Sequence, residues 1–176
     1  MVILVTVVIV FRGLLYRHFV TYKSIRTRSN YTTSDKMLIE YINSKVVNQP
    51  KPSINKIIKT GLSITSSQLK FTSGKCDVDP NKLFHSKATN CVGYATFFAS
   101  TCNYLLKKYS LSDSWVATIN VGKIYFIRTD VHRYFNDSFF KEHDFVTIEN
   151  KRTGELYAVD PTVNDYFYID YISTVR

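Results

Sequence analysis

Residues Asn90–Lys108, NCVGYATFFASTCNYLLKK, have the apolar spacing of a long helix with one buried face. The apolar residues that recur at helical spacing are Cys91, Ala95, Phe98, Cys102 and Leu105. This period places them along one side of an α-helix. Lys107 and Lys108 suit its C-terminal end, where the helix dipole favours positive charge. We therefore predict a helix that begins at Cys91 and packs one face into the core.

Shorter helices are predicted before this stretch, and strands are predicted after it. The polar residues 33–35 can cap a helix that must end before Pro50, and Ser53 can start a second helix that ends near Gly61. Residues 63–80 are expected to form loops and short extended pieces. The predicted strands are Trp115–Val121, Lys123–Ile127, Phe145–Glu149 and Glu155–Val159. Helices followed by an antiparallel sheet indicate the α+β class.

The composition indicates one globular domain with a basic surface. The chain has 176 residues, of which 45% are hydrophobic and 21% are charged, and these values exclude a disordered chain. Its net charge is +9, and part of the excess follows an apolar N terminus. These basic residues are Arg12, Arg17, Lys23, Arg26 and Arg28. Because no DNA- or RNA-binding motif accompanies them, we interpret them as the flank of a membrane-associated segment and do not predict a nucleic-acid partner.

Residues 1–22 are predicted to form a hydrophobic segment that associates with a membrane. Val2–Phe11 is almost wholly apolar, but the run is shorter than the roughly 20 residues that a spanning helix needs, and Arg12 interrupts it. A short or truncated anchor, an interfacial segment and an element packed on the domain all stay open. If the segment spans, its basic flank places the body in the cytoplasm. Residues 23–33 are interpreted as a basic linker and residues 34–176 as the domain.

Cys91 is the candidate nucleophile. The chain has three cysteines, so at least one thiol is unpaired within it. With Asn90 as the N-cap, Cys91 stands in the first helical turn, where free N–H groups and the helix dipole favour a thiolate. Gly93 in the same turn weakens a helix and indicates that another part of the chain approaches closely. A lone cysteine is more often a small buried side chain, so its interpretation depends on its partners.

A predicted hairpin supplies those partners. A four-residue loop over 151–154 sets Phe145 opposite Asp160 and places His143 diagonal to Asp160 on the same sheet face. Diagonal neighbours lie about 7–8 Å apart, within reach of long side chains. Asp144 points to the other face, and a loop one residue longer or shorter would separate the histidine from the aspartate. The pattern therefore predicts a histidine held by a carboxylate, which a catalytic Cys–His pair requires.

The order of these three residues resembles the transglutaminase-like superfamily. Its members have a cysteine at a helix start, a histidine on a strand and an Asp-Pro pair after the next strand. The matching stretches here are Asn90-Cys91-Val92-Gly93-Tyr94-Ala95, His143-Asp144-Phe145-Val146 and Tyr157-Ala158-Val159-Asp160-Pro161-Thr162. The spacings of 52 and 17 residues fit that arrangement, and the likeness covers residues 62–166. The chain departs from the pattern at Tyr94, after the glycine, and at Phe145, where many members have tryptophan.

The resemblance implies a papain-like fold, in which N-terminal helices, including the cysteine helix, pack on an antiparallel sheet. It also implies that Cys91 is the nucleophile, that His143 is the general base and then the acid, and that Asp160 orients the imidazole. Such an enzyme cleaves a peptide or protein amide through a thioester, which water (peptidase, amidase) or an amine (transglutaminase) then resolves. The backbone N–H of Cys91 would stabilise the oxyanion, with Gln68 as a candidate second donor. Neither a metal nor a cofactor is expected.

Other functions stay open beside this one. Hydrolysis is favoured over protein cross-linking by analogy with small members of the superfamily. A catalytically inactive domain of the same fold would use its groove to bind peptides, or would act as a scaffold at a membrane. A basic nucleic-acid-binding protein is a third interpretation, which a salt-dependent binding assay would test.

The remaining cysteines and histidines are assigned no catalytic role. Cys76, His85 and Cys91 lack the spacing of a zinc site, and a fourth ligand is missing. Cys102 is expected in the core because it shares a helix face with the other apolar residues. His132 is expected in a solvated loop, since polar residues surround it.

Overall fold

The part of the chain that this computed structural model describes, residues 2–46 and 50–175, contains helices and one large sheet. Its α-helices are α1 (Val2–Phe19), α2 (Lys36–Ser44), α3 (Ile54–Gln68), α4 (Pro80–Ser86), α5 (Cys91–Lys108) and α6 (Pro161–Phe167). Its strands are β1 (Val20–Thr27), β2 (Lys70–Phe71), β3 (Ala88–Thr89), β4 (Trp115–Phe126), β5 (Thr129–Asp130), β6 (His143–Asn150), β7 (Leu156–Val159) and β8 (Ser173–Val175). This mixture confirms the predicted α+β class.

The large sheet has the strand order β7–β6–β4–β1–β8, and β5 pairs with the end of β4. Neighbouring strands are antiparallel except for β1 and β8, which run parallel with Thr21 opposite Ser173. The sheet is therefore mixed, and the prediction of a purely antiparallel sheet was wrong at this edge. The parallel pair joins segments far apart in sequence, which no local pattern indicates.

The linker predicted at residues 23–33 is wrong over its first part, because residues 23–27 belong to β1. This strand starts inside the predicted segment 1–22 and pairs with β4 along its length. Arg28, just after β1, forms an ion pair with Asp144 of β6 at 2.6 Å. Most side chains of β1 are exposed or half-buried, and only Tyr22 is fully buried. Because few of its side chains are buried, β1 contains mostly polar residues, and a polar stretch of this kind is also typical of a linker.

Helix α1 leads into β1 and touches the domain through its second half. Arg12 Nε donates to the Phe167 carbonyl at 2.8 Å, and the Ser173 hydroxyl donates to the Arg17 carbonyl at 2.8 Å. On other sides of the helix the apolar side chains Val10, Phe11 and Leu14 are more than half exposed. Among the described residues, no helix combines the length and the hydropathy needed to cross a membrane.

Helices α2 and α3, the two predicted before the cysteine helix, begin where the capping residues predict, and α4 is a further helix that was not predicted. Asp35 Oδ1 accepts a hydrogen bond from Leu38 N at 2.8 Å, and Ser53 Oγ accepts one from Lys56 N at 3.3 Å. Each bond satisfies a backbone N–H that has no partner inside the helix. Helix α3 continues to Gln68, however, so the loop predicted from residue 63 is wrong up to that point.

Gly61, where α3 was predicted to end, is a packing position inside the helix. A Cβ at Gly61 would lie 2.8 Å from Cys102 Sγ and 3.0 Å from a ring carbon of Phe98. The glycine therefore lets α3 approach α5 closely, at the usual cost of glycine within a helix. Helix α5 packs on α3 and also on β4 and β6 of the sheet. Its buried residues, with those of the sheet, form the main hydrophobic core.

Strand β4 is continuous, although two separate strands were predicted on either side of Gly122. A Cβ at Gly122 would lie 2.5 Å from the carbonyl oxygen of Lys23 and 2.8 Å from a ring carbon of Phe145. The glycine marks a close approach of the neighbouring strands and not a turn.

Candidate active site

Cys91 is the first residue of α5, as predicted. Asn90 caps the helix, and its Oδ1 accepts a hydrogen bond from Val92 N at 3.0 Å. The first N–H groups of a helix have no partner within it, and the positive end of the helix dipole lies there, beside the thiol. Cys91 is partly exposed, whereas Cys102 is completely buried. Burial raises the pKa of the Cys102 thiol, so Cys102 serves packing, whereas the partly exposed Cys91 can be reached from the surface.

Gly93 allows β3 to approach the first turn of α5. A Cβ at Gly93 would lie 1.8 Å from Thr89 Oγ1 and 2.7 Å from Thr89 Cβ. The Thr89 hydroxyl donates to the Asp77 carbonyl at 2.9 Å, which holds the threonine in this position. The close approach predicted from the glycine is therefore confirmed, and it locks the turn that carries Cys91.

We expect Gly93→Ala to lower the free energy of unfolding by about 1–3 kcal/mol, as overpacked sites do. Helix propensity alone would favour alanine by about 0.8–1.0 kcal/mol, so the expected sign depends on the contact with Thr89. Urea denaturation measures the change. Gly13→Ala in α1 is the matched control, because the atom that its Cβ would meet among the described residues, Arg17 Nη1, is 3.7 Å away. A Gly93→Ala variant as stable as the wild type would contradict the contact.

The β6–β7 hairpin brings His143 and Asp160 into contact. Across the turn Asn150 N donates to the Glu155 carbonyl at 2.8 Å, and the strand pairing that follows has the predicted register. His143 Nε2 lies 2.7 Å from Asp160 Oδ2. Because the loop has four residues, and not one more or one fewer, the histidine and the aspartate lie on the same face of the sheet, as predicted.

Asp160 is completely buried, and both of its oxygens accept hydrogen bonds. Oδ1 accepts from Thr162 N at 3.0 Å and Val163 N at 3.2 Å, so the side chain also caps α6. Oδ2 accepts from the Tyr22 hydroxyl at 2.8 Å and faces His143 Nε2. Burial raises the pKa of Asp160, but the charge of His143 and these hydrogen bonds outweigh it and leave the pKa below its usual value. Asp160 is therefore a carboxylate.

His143 is held as an imidazolium by this carboxylate. Burial lowers its pKa, but the charge of Asp160 and the hydrogen bond to it raise the pKa further, and Cys91 adds to the increase, so the pKa lies well above its usual value. Because Nε2 faces Asp160, the Nδ1 atom is left to interact with the thiol of Cys91. Cys91 and His143 also line one cavity.

Cys91, His143 and Asp160 thus lie together in the order thiol, imidazole and carboxylate. They come from the start of α5, the start of β6 and the junction of β7 with α6. Neither a protein-family model nor a curated protein matches this chain. The arrangement of these side chains is therefore the basis for assigning a function.

Tyr22 and Tyr16 extend the arrangement behind Asp160 and were not predicted. The hydroxyl oxygens of Tyr22 and Tyr16 lie 2.7 Å apart, so Tyr22 can donate to Asp160 while it accepts from Tyr16. Burial is the main cause that raises the pKa of both phenols, with the charge of Asp160 adding to it, so both stay neutral donors. The local signal was two tyrosines, one within and one at the end of the hydrophobic segment 1–22, since buried tyrosine hydroxyls need partners.

The expectation that His132 lies in a solvated loop was wrong. The residue belongs to a 3₁₀ turn, Val131–Tyr134, and is only 5% exposed. Its Nδ1 lies 2.5 Å from the Phe140 carbonyl, and because a carbonyl only accepts, this nitrogen is the donor. Its Nε2 has no hydrogen-bond partner among the described residues. His132 lines the cavity that contains Cys91, because the chain after β5 folds back over the sheet.

Gln68, the candidate second oxyanion donor, does not line the cavity that contains Cys91. It lies at the end of α3 and interacts with the hydroxyl of Tyr41, so this prediction was wrong. Asp144 faces away from His143, as predicted, and binds Arg28. Within the described ranges no three His, Cys, Asp or Glu side chains form a group that could hold a metal ion.

Proposed function

We propose that the protein is a cysteine-dependent acyl transferase or hydrolase that acts on amide bonds. The observation that carries the proposal is the 2.7 Å contact between His143 Nε2 and the buried Asp160 carboxylate, with Cys91 beside the imidazole in the same cavity. A thiol at a helix N terminus, an imidazole and an orienting carboxylate are the three groups that Cys–His catalysis uses. The buried position of Asp160 suits an orienting group and not a substrate contact.

We also propose that the fold is a papain-like core of the transglutaminase-like type. Three features support this assignment: the cysteine begins the central helix α5, the histidine begins β6, and the aspartate follows the neighbouring strand β7. The Asp160-Pro161 pair then starts α6, where Pro161 occupies the first turn. The mixed sheet and the strand β1 are features of this chain that the resemblance did not include.

In the first half of the proposed reaction, the Cys91 thiolate attacks the carbonyl carbon of an amide. The proton that the thiol has given to His143 passes to the leaving amine as the C–N bond breaks, and the acyl group stays on sulfur as a thioester. The backbone N–H of Cys91, in the first turn of α5, donates to the oxyanion. Asp160 keeps Nε2 of His143 engaged, so Nδ1 is the atom that exchanges the proton.

In the second half, water or an amine attacks the thioester and His143 accepts its proton. The Cys91–acyl bond breaks, and the acid or the new amide leaves. We propose hydrolysis as the main outcome, with a peptide or protein amide as the substrate. No metal or cofactor enters these steps.

Selective alkylation of Cys91 by iodoacetamide tests this proposal. At pH 6.5 we expect His143→Ala to slow the alkylation of Cys91 by about 10- to 100-fold, because the imidazolium that favours the thiolate is lost. Mass spectrometry of the peptide that contains residue 91 gives the rate, and Cys102 in the same sample reports unfolding, since only an unfolded chain exposes it.

His85→Ala is the matched control for this experiment. His85 is exposed and bonds Asp35 at 3.1 Å, and it does not line the cavity of Cys91, so its loss should leave the alkylation rate unchanged. If wild-type Cys91 reacts no faster than glutathione at pH 6.5, the enzymatic proposal is wrong. The same domain would then be better explained as a peptide-binding or scaffolding module.

Association with a membrane through residues 1–22, with the body in the cytoplasm, stays a prediction. The exposed apolar side chains of α1, at Val10, Phe11 and Leu14, support it, because such groups favour an apolar surface. Helix α1 continues directly into β1, so a membrane-bound α1 would hold the sheet, and with it the cavity of Cys91, near the lipid surface.

A further inference from the structure

A cavity of about 250 Å³ opens beside Cys91 and His143. Its apolar lining consists of Phe71, Ile124, Val131, Phe135, Phe139 and Phe140. Pockets for drug-sized ligands are larger, at about 300–1,000 Å³, so this cavity suits a single side chain or acyl group rather than an extended peptide. Because the nucleophile is part of its wall, a group bound here is adjacent to the reacting carbonyl.

The segment between β5 and β6 supplies most of this apolar wall. It contains two 3₁₀ turns, Val131–Tyr134 and Ser138–Phe140. His132 and Phe140 are joined across the segment by their 2.5 Å contact, and Lys141 Nζ donates to the Phe135 carbonyl. Both acceptors are backbone carbonyls, so these contacts hold the backbone of the segment from which the aromatic side chains project.

The aromatic rings of this wall are partly exposed, although apolar residues usually avoid solvent. Phe135 and Phe140 are 43% and 44% exposed, and their ring centroids lie 5.0 Å apart. Phe139 meets Phe140 edge to face at 5.0 Å. Phe71, from β2, is 39% exposed and lines the same cavity. Exposed aromatic side chains grouped around a nucleophile are typical of a binding surface.

The charged side chains of the cavity already have partners. Both carboxylate oxygens of Glu142 bind the Arg26 guanidinium, and His143 is bound to Asp160. An anionic acyl group would therefore find no unpaired cation in the cavity lining. A cationic acyl group would find only Glu142, whose charge Arg26 already neutralises. Two polar atoms of the lining, His132 Nε2 and Thr162 Oγ1, lack hydrogen-bond partners among the described residues. They could bond a polar group, but the hydration that a charged group loses on entering is much larger than such a bond returns.

We propose that this cavity binds the acyl side chain of the substrate and selects a bulky, uncharged, apolar group, with aromatic groups preferred. This inference rests on the proposed function, since it needs Cys91 to accept an acyl group. It assigns Phe135, Phe139 and Phe140 as specificity-determining residues. Substrates in which the reacting carbonyl carries a small or charged group should acylate Cys91 poorly.

The test is a series of p-nitrophenyl esters that differ only in the acyl group: acetyl, 3-phenylpropionyl, anionic 4-carboxybutanoyl and cationic 6-guanidinohexanoyl. The Cys91 thiolate forms a bond to the carbonyl carbon, the ester C–O bond breaks, and p-nitrophenolate leaves with the electron pair and is detected by its absorbance. Each rate is divided by the rate of glutathione with the same ester, and the Cys91→Ser variant gives the background. We expect the 3-phenylpropionyl ester to acylate Cys91 about 10- to 100-fold faster than the other three.

Phe139→Ala should reduce this preference by about 10-fold, because the ring that contacts the acyl group is removed. Tyr134→Ala is the matched control: it lies on the same segment, is 70% exposed and does not line the cavity, so it should keep the wild-type preference. The wild-type series alone decides the proposal if Phe139→Ala does not fold.

Alkylation of Cys91 by iodoacetamide, measured in parallel, separates the two proposals. A reactive, His143-dependent Cys91 with equal rates for all four esters, or with a preference for acetyl or for a charged group, would overturn the acyl-pocket assignment and leave the proposed function intact. An unreactive Cys91 would overturn the proposed function and the pocket assignment together. A reactive Cys91 with the aromatic preference supports both.

Discussion

Replacing Asp160 with asparagine is expected to lower the rate at which Cys91 is acylated by about 10³–10⁴-fold, as the corresponding substitution does in a Ser-His-Asp triad. Asparagine fits the same space and its Oδ1 can still accept a hydrogen bond from His143 Nε2, but it carries no charge, so it no longer stabilises the imidazolium of His143. Release of p-nitrophenolate from the 3-phenylpropionyl ester measures the rate. Asp113→Asn, at an exposed aspartate, is the matched control. A rate within about tenfold of the wild type would show that the negative charge of Asp160 is not needed at His143.

The same variant should change the titration of His143 in a defined direction. In the wild type the pKa of His143 is raised by Asp160 and Cys91. The midpoint of the chemical-shift change of its ring protons in an NMR titration should therefore lie well above the usual pKa of about 6.5. In Asp160→Asn the pKa should fall towards or below that value, because burial then acts against the charged ring without the carboxylate.

These two shifts also give the pH dependence of stability. The raised pKa of His143 contributes stability that is complete below its unfolded value, about 6.5, and is lost as the pH rises through the folded pKa. The lowered pKa of Asp160 contributes stability above its unfolded value, about 3.9, that is lost as the pH falls through the folded pKa. The stability difference between wild type and Asp160→Asn should therefore be largest between these two unfolded values. Thermal unfolding from pH 3 to 10 measures it.

Replacing Phe98 with alanine is expected to lower the free energy of unfolding by about 3–5 kcal/mol. The side chain is completely buried in the core and meets α3 at Gly61, so its removal leaves a cavity between the two helices. Urea denaturation measures the effect. Phe167→Ala, at a phenylalanine that is 60% exposed, should change stability by no more than about 0.5 kcal/mol. Equal effects of the two substitutions would contradict the packing of α5 on α3.

The parts of the site that depend on local spacing could be predicted from the sequence. The cap at Asn90 and the apolar period after it specify where α5 begins, and so where Cys91 lies. The four-residue turn of the hairpin specifies its register, and the register brings His143 to Asp160. Each of these features is encoded within about 20 residues of the side chain that it positions.

The parts that depend on distant contacts could not be predicted in the same way. Tyr22 reaches Asp160 only because β1 lies between β4 and β8, and the polar sequence of β1 is typical of a linker. His132 is buried because the segment after β5 folds over the cavity, although its neighbours in sequence are polar. The sequence predicts a helix end at Gly61, whereas this glycine permits close packing of two helices. In each case a tertiary contact outweighs the local pattern.

The position of β1 between two later strands affects how the protein matures on the ribosome. β1 is synthesised early, but its neighbours β4 and β8 begin only at Trp115 and Ser173. Pairing over such separations is slow, and meanwhile the backbone of β1 is available to other chains. Helix α5 can form long before Tyr22 meets Asp160. The nascent protein therefore exposes the Cys91 thiol before the contact between Tyr22 and Asp160, which supports the imidazole, is complete.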